Sequence, residues 1–125
     1  MVFIGCASDI NINKDFNEEN RRFKVVSISI GDTILKAPDN VTLNVNKDNV
    51  YGNAGCNNYF SSFKMLDMQS IQFSYTGSTR MLCHDQKINE FEYKFLKVLE
   101  DTFNIEYIDD GVILKNNNAR INLEG

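Results

Sequence analysis

A single change of hydrophobic period constrains this chain more than any other feature. From Arg22 to Tyr75 apolar residues alternate with polar ones, and from Gln86 to Thr102 they return every three or four positions. Alternation puts successive side chains on opposite faces of a strand, while three- and four-residue steps line up one stripe on a helix. Val26, Ile28 and Ile30 predict one strand face, with Val25, Ser27 and Ser29 on the other, ending at Gly31-Asp32. A short return strand over Thr33–Leu35 is punctuated by Pro38-Asp39-Asn40. Val41, Leu43 and Val45 predict a half-buried strand, and further strands fall around Val50-Tyr51, Tyr59–Phe63 and Ile71–Tyr75. In the helical stretch, Ile88, Phe91, Phe95, Leu99 and Phe103 form the stripe, flanked by Leu96 and Val98. Asp85 is placed to cap its start, and Glu90 and Lys94 stand four apart in the favourable order. Ile105–Ile108 and Val112–Lys115 flank the hairpin signal Asp109-Asp110-Gly111, and Ala119–Leu123 gives a last strand. A lone helix can bury its stripe only against the apolar face of the sheet. The expectation is therefore an α+β fold, with a curved, mostly antiparallel sheet or incomplete β-barrel around one amphipathic helix at about residues 86–102.

At 125 residues the chain is sized for one domain. The formal charge of −4 offers no attraction to phosphate backbones, so nucleic acid is not an expected partner. No run approaches the roughly 18 apolar residues of a membrane-spanning helix. Residues 8–20 are polar, rich in Asn and acidic groups, and read as a tether. The division is thus 1–21 for an N-terminal leader and tether, and 22–125 for the folded domain.

Cys6, Cys56 and Cys83 are an odd number, so an oxidising compartment would leave one cysteine for another task. Val2-Phe3-Ile4-Gly5-Cys6-Ala7-Ser8 resembles the lipobox of bacterial lipoproteins, in which the cysteine is acylated. The basic start and most of the apolar stretch of an export signal are missing here. Cys6 is accordingly read as the lipid-attachment site of a full-length form, the alternative being a free thiol on a short apolar tail.

Two segments carry a wider resemblance. One is Gly52-Asn53-Ala54-Gly55-Cys56-Asn57-Asn58-Tyr59, and the other is Ser78-Thr79-Arg80-Met81-Leu82-Cys83, followed by Glu90 and Phe91 on the helix. Together they resemble the META domain family (HslJ-like), over about residues 22–124. The strands around Phe23 and Val41 and the turn at Pro38 are similar too, although the family more often has a Trp near Phe23. The resemblance implies motif roles for Gly52, Gly55, Asn57, Tyr59, Ser78, Thr79, Met81 and Glu90. Gly52 and Gly55 would permit positive φ or close backbone approach, and Asn57 would satisfy backbone groups in the turn. Cys56 and Cys83, 27 apart and each beside a strand end, can form a disulfide in an exported protein; otherwise they are two buried thiols. Similar proteins are bacterial envelope proteins, often lipoproteins, linked to heat or antibiotic stress, and the fold resembles that of pilot lipoproteins of secretion systems.

Cys83-His84-Asp85 has the residue types of a nucleophile, a base and an orienter, but consecutive side chains do not converge on one another. Cys56, Cys83 and His84 lack the paired spacing of a zinc site, and no metal or other cofactor is expected. The function expected is non-catalytic: a periplasmic domain, monomeric and tied to the outer membrane only through Cys6. It would bind an envelope protein segment or an apolar ligand. The alternatives are an enzyme using Cys83 and His84, and a purely structural, stress-protective lipoprotein.

Overall fold

The computed structural model describes Phe16 and residues 20–125. Ten strands and one helix lie among them: β1 (Arg21–Ile30), β2 (Thr33–Lys36), β3 (Thr42–Asn46), β4 (Asn49–Asn53), β5 (Asn58–Asp67), β6 (Ser70–Phe73), β7 (Gly77–Ser78), α1 (Gln86–Leu99), β8 (Thr102–Ile108), β9 (Gly111–Lys115) and β10 (Ala119–Glu124). Every pairing is antiparallel.

The curved antiparallel sheet around one helix is present as expected, but it closes on itself into a barrel of eight strands, so the barrel is complete rather than incomplete. The circuit runs β1-β3-β4-β5-β6-β8-β9-β10 and returns to β1, with β2 attached to β1 and β7 to β5. The seam is β10 on β1, running from Ala119 opposite Ile30 to Glu124 opposite Lys24. Ten residues make β1 long enough to serve three neighbours. Its first half pairs with β3, its second half with β2, and its far side with β10. Closure removes the unpaired edges that an open sheet would leave. The class is accordingly mostly β with one helix.

Inside the barrel the alternation expected from sequence holds on β3, where Leu43 and Val45 are buried, and on β5, where Tyr59, Ser61 and Phe63 are buried. It breaks on β1. Phe23, Val25 and Ile28 point inward, while Val26 is 40% exposed. The register explains why: Asn122 faces Ser27 and Leu123 faces Val25, leaving Val26 as the extra residue of a β-bulge. Tyr75, expected on the next strand, lies beyond β6 and is exposed.

The helix starts where expected. The Asp85 side chain accepts a hydrogen bond from the Lys87 N–H at 2.8 Å, and Lys94 meets Glu90 at 3.0 Å. It stops at Leu99 rather than at Thr102, because residues from Thr102 onward enter β8. Phe91, Phe95 and Leu99 are buried in the same core as the barrel interior, and Phe103 joins them from β8. Each such side chain contributes about 1.5–3 kcal/mol by leaving water. Phe16, within the stretch read as tether, is also in this core and lies 5.7 Å from the Phe23 and Phe63 rings. Cys6 lies outside the described residues.

Candidate functional site

The two signature segments meet at the mouth between β4, β5 and the start of α1. The first is a tight loop from β4 into β5, closed by Ala54 N–H donating to the Asn57 carbonyl at 2.8 Å. The Asn53 side chain accepts from the Gly55 N–H at 2.7 Å, an Asx turn of the kind asparagine favours. Gly55 has φ +125°, a conformation L side chains rarely adopt, and a Cβ there would press on Ile88 of α1. Gly52 does not take positive φ; its need is space, because a Cβ would run into the Thr42 carbonyl.

Asn57 is the hub. It is 3% exposed, yet all four hydrogen-bonding positions of its amide are used. Its Nδ2 donates to the Met81 carbonyl at 3.0 Å and to Glu92 Oε1 at 2.7 Å. Its Oδ1 accepts from the Met81 N–H at 2.7 Å and from Thr79 Oγ1 at 2.8 Å. Glu92, 8% exposed, accepts on its other oxygen from the backbone N–H groups of Cys56 and Asn57. A buried carboxylate is tolerated where donors converge on it, and here three N–H donors do.

The glutamate expected in this motif was Glu90, and that assignment is corrected. Glu90 is exposed and pairs with Lys94 along the helix. At about 100° per residue Glu90 falls roughly 145° from the centre of the Ile88-Phe91-Phe95-Leu99 stripe, whereas Glu92 falls roughly 55° from it. The helical wheel therefore carried the signal.

The second segment is fastened at both ends. Asn58 and Thr79 exchange bonds: Thr79 N–H donates to the Asn58 carbonyl at 3.1 Å, and Asn58 N–H donates to Thr79 Oγ1 at 3.2 Å. Asn89 of α1 donates to the Cys83 carbonyl at 2.7 Å and accepts from its N–H at 3.3 Å, a contact the sequence reading missed. Between these anchors Cys56 and Cys83 form a disulfide with Cα atoms 6.0 Å apart. Met81 contributes its backbone rather than its side chain, which is 61% exposed, and Leu82 beside it is 91% exposed.

Tyr59 is buried beneath the site. Its hydroxyl donates to the Thr42 carbonyl at 2.8 Å, and its ring stands edge-on to Phe95 at 5.4 Å. Burial pushes the phenol well above its ordinary value of 10.0. Ser78, on β7, is half-buried opposite Tyr59. The Cys83-His84-Asp85 run does not converge: Cys83 is bridged to Cys56, His84 is exposed, and Asp85 caps the helix. No group of three metal-ligating side chains occurs among the described residues.

Beyond the helix C-terminus lies an open cleft of about 530 Å³, walled by Phe63, Phe73 and Tyr75 and rimmed by Lys64, Glu100 and Asp101. Glu100 is tied to Thr76, whose N–H and hydroxyl both reach its carboxylate at 2.8 Å.

A search of curated proteins returns no match. Two solved structures share the fold. An NMR structure of a protein from Burkholderia xenovorans aligns with a TM-score of 0.69 at 20% sequence identity, over 85% of this chain and 81% of that one. A second NMR structure aligns with a TM-score of 0.65 at 15% identity, over 89% of this chain and 93% of its own. At such identities the likeness is one of fold. The family model for the META domain matches residues 16–124, taking in the barrel, the helix and both signature segments. The chain belongs to the META domain family.

Proposed function

We propose that this META domain is a non-catalytic envelope module that acts by binding a protein segment or an apolar ligand. In the full-length form an acylated Cys6 ties it to the outer membrane, facing the periplasm, in a stress- or secretion-related role. The observation that carries the reading is the Cys56–Cys83 bridge. A structural disulfide belongs to an oxidising compartment, and it ties up the thiol that a cysteine enzyme would use. His84 is exposed, and Asp85, its neighbour, is committed to the helix cap. An enzyme working through Cys83 and His84 thus has no assembled nucleophile and base.

The cleft beside β6 is the place for the bound segment. Tyr75, 87% exposed, offers apolar side chains a surface there, the rings of Phe63 and Phe73 being almost wholly buried, and Lys64, Glu100 and Asp101 at the rim suit a peptide backbone and its charges. The test uses the full-length form expressed in a bacterial host. Intact mass and alkylation without reductant are expected to show Cys56 and Cys83 blocked and an acyl mass that Cys6→Ser abolishes. Alkylation of both Cys56 and Cys83 would overturn the oxidised-envelope reading, and an unacylated Cys6 would overturn the anchor. Ligand binding is tested separately by Tyr75→Ala, which is expected to lower capture of the partner without altering the fold.

A further inference from the structure

We propose that the outer wall formed by β3, β4 and β5 is a platform for a glycan strand, a chain of neutral N-acetylhexosamine rings stacked on Tyr51 and Phe60. It lies outside the cleft described above and depends on neither export nor acylation.

Tyr51 and Phe60 are direct partners across β4 and β5, and they are 47% and 65% exposed. Phe60 lies flat on the wall. A Cβ on Gly77, its partner on β7, would collide with three atoms of the ring. One face of the ring therefore rests on glycine backbone and the other is turned to solvent. Covering a glycine stabilises a sheet and accounts for the inner face of Phe60. It does not account for Tyr51, nor for the polar groups around both rings.

Those groups carry no charge. In a chain whose residues are 24% charged, β3 and β4 have no charged residue, and β5 has none before Lys64. The outward positions are filled instead by Asn44, Asn46, Asn49, Asn53, Asn58 and Ser62. The amides of Asn44 and Asn46 and the Tyr51 hydroxyl have no protein partner among the described residues.

Aromatic faces ringed by uncharged amides match one ligand chemistry. A pyranose offers C–H groups on its face, which suit the negative face of an aromatic ring, and hydroxyl or acetamido groups on its edge, which suit amides. Single-stranded nucleic acid also stacks on aromatic rings, but it needs cations along its backbone. Here the cations only border the wall, Arg22 and Lys24 from β1, Lys47 from the turn between β3 and β4, and Lys64 from the far part of β5, and the chain as a whole is at −4. The neutral platform fits a neutral chain, while the bordering cations leave room for a sugar bearing a carboxylate.

The experiment is an amide-resolved NMR titration of the intact chain with three probes: chitohexaose, peptidoglycan glycan strands bearing lactyl carboxylates, and a thymidine oligonucleotide. Chitohexaose is expected to shift resonances of β3–β5, and binding by the carboxylated strands as well would point to the cell wall as the source. Tyr51→Ala and Phe60→Ala are each expected to weaken binding roughly tenfold. Gly77→Ala, which lifts the Phe60 ring without removing it, is expected to weaken binding too, and Tyr93→Ala on α1 is expected to leave it unchanged. If Phe60→Ala fails to fold, Tyr51→Ala and Gly77→Ala carry the test. The proposal is overturned by no response to chitohexaose at millimolar concentration, by binding that survives the three wall variants, or by binding of the oligonucleotide or the carboxylated strands alone. Shifts that follow protein concentration without sugar would assign the wall to a second copy and overturn it as well.

Discussion

Glu92 occupies a position where an unsupported carboxylate would be costly, and its worth lies in the donors that meet it. The backbone N–H groups of Cys56 and Asn57 and the Asn57 amide all point at it. In Glu92→Gln one of the two side-chain positions becomes an NH2 group facing these donors, so the variant is expected to lose about 2–3 kcal/mol in chemical denaturation. Glu90→Gln, on the opposite face, should change stability by less than about 0.5 kcal/mol. Equal losses in the two variants would return the motif role to Glu90. Tyr59 makes a prediction in pH. Its phenol is held above 10.0 by burial, so in the folded state the proton stays on while the unfolded chain releases it. The unfolded state then binds fewer protons, and stability falls as pH rises past about 10, being fully present below that. Tyr59→Phe should be less stable near neutrality by about 1 kcal/mol, through the lost bond to the Thr42 carbonyl. The difference between the two proteins should then shrink in alkaline urea titrations.

At the level of elements, α1 rests on two separable contributions. Its cap at Asp85 should be worth about 1 kcal/mol, measured as the loss in Asp85→Ala. Its stripe should be worth far more, with Phe95→Ala costing about 3–5 kcal/mol because the ring is fully buried against Tyr59. Both the cap and the stripe were legible in the sequence, since local spacing determines them. So were the turns at Gly31-Asp32 and Asp109-Asp110, because turn chemistry is local. The bulge at Val26 was not. Alternation assumes an unbroken pleat, and only the pairing of Leu123 with Val25 and Asn122 with Ser27 reveals the extra residue. The signature loops were visible as motifs, but not the side chain that ties them to the helix. Glu92 stands on the shoulder of the apolar stripe, and reading the wheel residue by residue would have picked it over Glu90. Asn89, which grips the Cys83 backbone, had no signal of its own, because an asparagine on a half-buried helix face looks like ordinary surface.

For the whole molecule, the disulfide and the seam act at different ranges. Closing a loop between positions 27 apart is worth about 3–4 kcal/mol in the chain-entropy account, so reduction or a Cys56→Ser/Cys83→Ser pair should lower stability by that order. Cys56 and Cys83 remain fastened by Glu92 and Asn89, so the reduced domain is expected to stay folded, with the loss confined to its unfolding midpoint. Native-state hydrogen exchange tests the seam: amides of Ile121 and Leu123 should be protected as strongly as those of Ile105 and Leu114. Fast exchange confined to β10 would mean an open sheet in solution. Because the strand that begins the barrel is zipped to the strand that ends it, a growing polypeptide cannot complete this architecture until Glu124 has emerged from the ribosome. Until then the far side of the first strand has no neighbour, and the cylinder stays unzipped along that line.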